Sequence, residues 1–180
     1  MKVHPKQSLF FLLAICVFTI LLNAGCHVRY GFNDVGTIPA NVKTVRVNFI
    51  ENRAPYVNPQ LSPSLTNRLK QKIVGQTRLT QTNSDNAHFD IRGYVSDYSV
   101  STSGITSANG QSQTSVNRLT VAVHMSVLNT LTNDPPKEFD VSRSFDFGAN
   151  QSLQQAEAGL LDEMIRNLSD EIFNQIFSNW

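Results

Sequence analysis

From Leu153 towards the C-terminus the apolar residues Leu153, Ala156, Leu160, Leu161, Met164, Ile165, Leu168, Ile172, Ile176 and Phe177 recur at helical spacing. Glu157, Asp162, Glu163, Arg166, Asp170 and Glu171 fall on the opposite side, so the segment reads as one amphipathic helix running to near Trp180. Ser152 and Gln155 have the spacing of a capping box and mark its start. An apolar face of this width cannot stay in water. The rest of the chain must supply a layer for it to lie on.

Strand-like alternation provides that layer. Val116 to Leu128 is the clearest case, with Leu119, Val121, Val123, Met125 and Val127 alternating against Thr120, Ala122, His124 and Ser126. Glu138 to Phe147 repeats the pattern, as do Lys43 to Phe49, where Val45, Val47 and Phe49 share a side, and Ala87 to Ser99, where Phe89, Ile91, Gly93 and Val95 do. Arg78 to Thr82 is a shorter candidate. One-sided alternation predicts a sheet with a single covered face. A second helix is expected after Ser62 as N-cap and Pro63 at the first helical position, with Leu61, Leu65, Leu69 and Ile73 as its stripe and Gly75 at its end. The expected fold is α+β: a two-layer sandwich with an antiparallel or mixed sheet of four to five strands, covered on one face by two helices.

Two connections are distinctive in composition. Residues 101–115 are almost wholly Ser, Thr, Gly, Asn and Gln and are expected to form a mobile loop. Asn129 to Lys137, with Asn133-Asp134-Pro135-Pro136, is expected to close a hairpin.

At the N-terminus a short basic stretch with Lys2 and Lys6 precedes an apolar run from Leu9 to Leu22 and then Asn23-Ala24-Gly25-Cys26. That order is that of a secretory signal, and the run is shorter than the ~20 residues a spanning helix needs. Ala24-Gly25-Cys26 resembles the lipobox of bacterial lipoproteins, with Asn23 standing where an aliphatic residue is usual. A plain signal with an incidental cysteine is the competing reading. Cys16 would leave with the signal, so acylation of Cys26 would leave no free thiol. The expected organisation is a lipoprotein signal over 1–25, a lipidated N-terminus and tether over 26–42, and one domain over 43–180. Removing residues 1–25 takes away two lysines and no acid, so the formal charge falls from +1 to −1. A basic field for nucleic acid is therefore absent.

Chemistry is not legible. No metal-ligand spacing, phosphate loop or nucleophile motif occurs, and His27, His88 and His124 are scattered. Asp85, Asp90 and Asp97 do not fit a calcium loop and read as solvated surface acids. Phe173 and Phe177 read as core, while Trp180 is a terminal indole that either packs inward or faces a partner. No cofactor and no catalytic role are expected.

Several strings in order carry a family resemblance: Ile38-Pro39-Ala40-Asn41-Val42-Lys43-Thr44-Val45, Asn58-Pro59 ahead of a helix, Gln76-Thr77-Arg78-Leu79, Asn117-Arg118-Leu119-Thr120-Val121, and Ile172-Phe173-Asn174-Gln175-Ile176-Phe177-Ser178-Asn179-Trp180. With the lipobox they resemble the LptE family of lipopolysaccharide-assembly lipoproteins in its Bacteroidota form. The resemblance implies a subunit that plugs the outer-membrane β-barrel LptD, helps it assemble and assists lipopolysaccharide delivery. It implies no enzyme. Arg92 and Arg118 are candidates for lipopolysaccharide phosphate by residue type alone, since guanidinium pairs bidentately with phosphate; surface charges on a sheet are the blander reading. His27 is not the Asp that signals inner-membrane retention in enterobacteria, and no acidic run follows Cys26, so the expected location is the outer membrane, lipid-anchored and facing the periplasm. A membrane-anchored lipid or small-ligand carrier is the alternative, with an anchored hydrolase behind it.

Cys26→Ala is expected to leave a folded domain that no longer fractionates with membranes. A variant that stays membrane-bound would show that protein contacts hold it more strongly than acyl chains do.

Overall fold

A computed structural model describes residues 38–108 and 111–177, with side chains over 38–102 and 116–177. The signal, Cys26 and Trp180 lie outside the described residues. In chain order the elements are β1 (Thr44–Val47), β2 (Glu51–Asn52), α1 (Leu61–Gln76), β3 (Thr80–Gln81), β4 (Phe89–Ala108), β5 (Gln111–Asn129), β6 (Lys137–Gly148) and α2 (Leu153–Phe177).

The sheet runs β3-β1-β4-β5-β6, with β2 added beside β4 where β1 stops. Its β1–β3, β1–β4 and β2–β4 pairs are parallel, while β4–β5 and β5–β6 are antiparallel. The sheet is thus mixed and has six strands, two of them only two residues long. The helix α1 makes the crossover that parallel β1 and β3 require. Both helices lie on one face, which is the two-layer α+β architecture that the patterning predicts.

Between the layers the space is filled. Leu61, Leu65, Leu69 and Ile73 of α1, Met164, Leu168, Ile172 and Ile176 of α2, and Ile91, Val95, Leu119, Val121, Val123 and Met125 of the sheet are all completely buried. Phe177 packs on Phe89 with ring centroids 6.5 Å apart and on Phe173 at 4.9 Å. Lys72 ties α1 to α2 through Asp170 at 2.8 Å. The capping box forms as expected: Ser152 N–H donates to Gln155 Oε1 at 3.1 Å and Gln155 N–H to Ser152 Oγ at 3.3 Å.

Four expectations need correction. First, α1 starts at Leu61, not after Ser62. Gln60 is the N-cap and makes no side-chain cap bond; Asn58 shapes the approach, its side-chain oxygen accepting from Gln60 N–H at 2.9 Å and its carbonyl from Leu61 N–H at 3.3 Å. Pro63 therefore falls at the third helical position, where its missing N–H still costs nothing because first-turn amides have no intrahelical partner. Second, Gly75 does not end α1, which runs on to Gln76; Thr77 closes it, its N–H and hydroxyl both donating to the Ile73 carbonyl at 3.0 and 2.7 Å. Third, Phe49 is 56% exposed and Ile50 takes its place in the core. The chain slips by one residue in the break between β1 and β2, where the Ile50 N–H is held by Thr66 Oγ1 at 3.0 Å. Fourth, most of 101–115 belongs to β4 and β5, whose pairing continues to Ala108 opposite Gln111. A two-stranded ladder satisfies its backbone without burying a side chain, so composition alone misread this segment.

Gly93 is required by packing. A Cβ there would lie 2.4 Å from Met125 Sδ and 2.6 Å from the His124 carbonyl oxygen. Gly93→Ala is expected to destabilise the fold by about 1–3 kcal/mol through overpacking, read as a lower urea midpoint with an unchanged m-value.

Candidate functional site: the uncovered face of the sheet

Side chains pointing away from the helices line a face that no element of the described residues covers. Strand register arranges them in rows: Tyr94, His124 and Asp140; Asp97, Ala122 and Ser142; Ser99, Thr120 and Ser144; Ser101, Arg118 and Asp146. A bulge between Val95 and Asp97 shifts the phase of β4, so that Asp97 and Ser99 face outward while Tyr98 turns inward.

Three of the four rows are joined by their own side-chain contacts. The Arg53 guanidinium stacks 4.3 Å over the Tyr94 ring, Tyr94 meets the His124 ring at 5.1 Å, and His124 Nδ1 lies 2.9 Å from Asp140 Oδ1. The Thr120 and Ser144 hydroxyls are 3.0 Å apart. Arg118 donates to Asp146 through Nε at 2.7 Å and Nη2 at 2.9 Å, and this pairing raises the Arg118 and lowers the Asp146 pKa.

Asp90 anchors the β1 side of this face. It is only 4% exposed, not a solvated surface acid, because three donors enclose it. Arg46 reaches it through Nε at 2.9 Å and Nη2 at 3.0 Å, Asn48 through Nδ2 at 2.6 Å, and Arg92 through Nε at 2.8 Å. Arg46 also pairs with the exposed Asp85. Burial pushes the Asp90 carboxyl up, but the hydrogen bonds from Arg46, Asn48 and Arg92 outweigh it and hold the group below its ordinary value of 3.8.

Arg92 and Arg118 both stand on this face but do not meet. Arg92 lies opposite Ser126 and Arg118 is eight residues earlier on β5, which is about 27 Å at ~3.4 Å per residue. Each is engaged by a carboxylate. Arg118 also lines a cleft of about 340 Å³ with Ser144, Phe145, Asp146, Leu160 and Glu163, where two acids offset it. Arg92, with its side chain 64% exposed against 46% for Arg118, is the more available cation.

A second polar site lies on the helix side. Glu157, expected on the solvent face of α2, is 8% exposed and accepts hydrogen bonds from Tyr56 at 3.1 Å and from Tyr98. Burial first, and Glu157 second, push both phenol pKa values up. Helical periodicity placed Glu157 among the charged residues, and no sequence signal announced two phenols 101 and 59 residues away.

A model of the family described as LptE, lipopolysaccharide-assembly, matches residues 42–176. No curated protein matches the chain significantly. Among solved structures, a neuraminyllactose-binding hemagglutinin homologue from Helicobacter pylori shares 10% identity over 78% of this chain and 86% of its own, with a TM-score of 0.52. That likeness is one of fold. A minor lipoprotein from Acinetobacter baumannii is 17% identical over 77% of this chain and 94% of its own at a TM-score of 0.44. The rare lipoprotein B from Shewanella oneidensis is 12% identical over 74% and 93% at 0.47.

The Asp90 network gives stability a defined acid limit. A folded-state carboxyl that titrates below its unfolded value stabilises the fold above the unfolded value and loses that contribution as pH falls through the folded one. Urea unfolding between pH 6 and pH 2 is expected to show stability falling below pH 3.8. Asp90→Asn should flatten that fall and lower stability at pH 6 by about 1–3 kcal/mol.

Proposed function

The chain belongs to the LptE lipopolysaccharide-assembly family, and from that premise we propose that it is an outer-membrane lipoprotein, anchored through Cys26 and facing the periplasm, that plugs the LptD β-barrel and helps it assemble. In this reading it acts as a subunit and not as an enzyme. The observation that supports it is the uncovered sheet face. Its hydroxyl pair and its ion pairs suit contact with the polar lumen of a large barrel better than contact with lipid tails. The anchor raises the local concentration of the plug near its barrel.

The alternative, a carrier of lipid or another small ligand, needs an apolar cavity between helices and sheet. Completely buried side chains from both helices and three strands occupy that space. Nothing in the interlayer favours the carrier.

Affinity purification of the intact lipidated chain from detergent-solubilised outer membrane is expected to recover a large β-barrel, and recovery of none would refute the proposal. Ala122→Trp puts bulk at the centre of the uncovered face and is expected to abolish that recovery while thermal unfolding stays close to wild type. For lipopolysaccharide contact, Arg92→Ala is expected to weaken binding to purified lipopolysaccharide about tenfold, the scale of one charge-assisted bond, and Arg118→Ala to weaken it less.

A further inference from the structure

Glu157 joins three segments that lie far apart in the chain. Tyr56 belongs to the loop after β2, Tyr98 follows the bulge in β4, and Glu157 sits in the second turn of α2. The two rings stack with centroids 5.2 Å apart and planes 25° apart, and each phenol donates to a different carboxylate oxygen. Tyr98 is 3% exposed. Neutral phenols, not cations, meet the two oxygens, so the carboxylate depends on both for its satisfaction.

The position of Tyr98 gives this cluster its consequence. The parallel neighbours of β4 end opposite Val95, and β6 pairs with β5 no earlier than Val116. The two-stranded ribbon of β4 and β5 begins only past the pair Gly104–Val116. Tyr98 lies between the two points: it pairs with Val121, which β6 still holds through Arg143, while the other side of β4 has no partner strand among the described residues. Withdrawing Tyr98, Tyr56 or Glu157 alone would leave a buried carboxylate or phenol without its partner, and that penalty exceeds the net gain of an ordinary hydrogen bond.

We propose that Tyr56, Tyr98 and Glu157 form a latch through which the one-sided stretch of β4 around Tyr98, the 53–58 loop and the first two turns of α2 open and close as one unit, at a cost below that of global unfolding. The latch is independent of the partner reading. It goes beyond that reading in assigning the fold a cooperative moving part, set against the fixed β1–α1–β3 side.

Native-state hydrogen exchange on the full chain tests it. Tyr98→Phe removes one oxygen and keeps the ring, so it preserves the stacking on Tyr56. Amides of 97–102, 54–58 and 153–161 are then expected to exchange faster by one common factor of about ten or more. Tyr56→Phe should reproduce the pattern. Ile73→Val, in α1 and away from the cluster, should lower the urea midpoint yet leave exchange in those three segments unchanged. The proposal is overturned if Tyr98→Phe accelerates β4 alone or nothing, or if Ile73→Val accelerates the three segments as much as the phenol variants do.

Discussion

Leu119, Val121, Val123, Met125 and Val127 point to one side of β5 and are at most 4% exposed. Because β5 pairs along its length with β4 and then β6, their direction sets that of both neighbours. A one-residue slip would turn the whole set into water, so the register is strongly held. Where β4 bulges after Val95, the extra residue resets the phase and brings Tyr98 to the dry side, next to Glu157. The dry face, the wet face and the buried carboxylate contact all descend from that alternation.

On the wet face the described arginines are already committed. Arg46 and Arg92 share Asp90, Arg118 holds Asp146 by two bonds, and Arg53 pairs with Glu51 while stacking on Tyr94. A phosphate arriving at Arg118 must compete with a carboxylate in the same bidentate geometry, beside Glu163. At Arg92 the competition is weaker, since Arg46 and Asn48 continue to satisfy Asp90 when Arg92 turns away. Spread over separate rows, these pairs make a surface suited to many modest polar contacts, as in a wet protein interface, more than to one tight anion pocket.

The parts of the fold legible in the sequence were those governed by period. The α2 stripe, its Ser152–Gln155 cap and the inward sets of β4, β5 and β6 follow from spacing alone, and the structure has each of them. What spacing cannot show is a polar group drawn inward by a distant partner. Asp90 and Glu157 each occupy a position that local pattern assigns to solvent. Arg46 of β1 and Asn48 just after it reach one, and two tyrosines reach the other. The ribbon failed for a different reason: composition measures what a segment can bury, whereas a hairpin extending an existing ladder needs only paired backbone. Ser62 shows the limit of cap rules, since the helix starts at Leu61 with Gln60 as N-cap and leaves the Ser62 hydroxyl buried without a partner.

The two buried carboxylates solve the same desolvation problem in opposite ways. Asp90 is held by guanidinium groups that bridge β1 and β4, so opening it would strand charges of both signs, and that corner of the sheet is held fixed. Glu157 is held by neutral phenols, which bring no second charge into the interior and which water can replace once the segment opens. With the proposed latch, a chain built this way has a rigid side, where β1, α1 and β3 meet the core, and an adjustable one, where β4 runs on past its parallel neighbours. In the barrel-plug role proposed above, that division would let the one-sided stretch of β4 adapt to the lumen without disturbing the packed interlayer on which the fold depends.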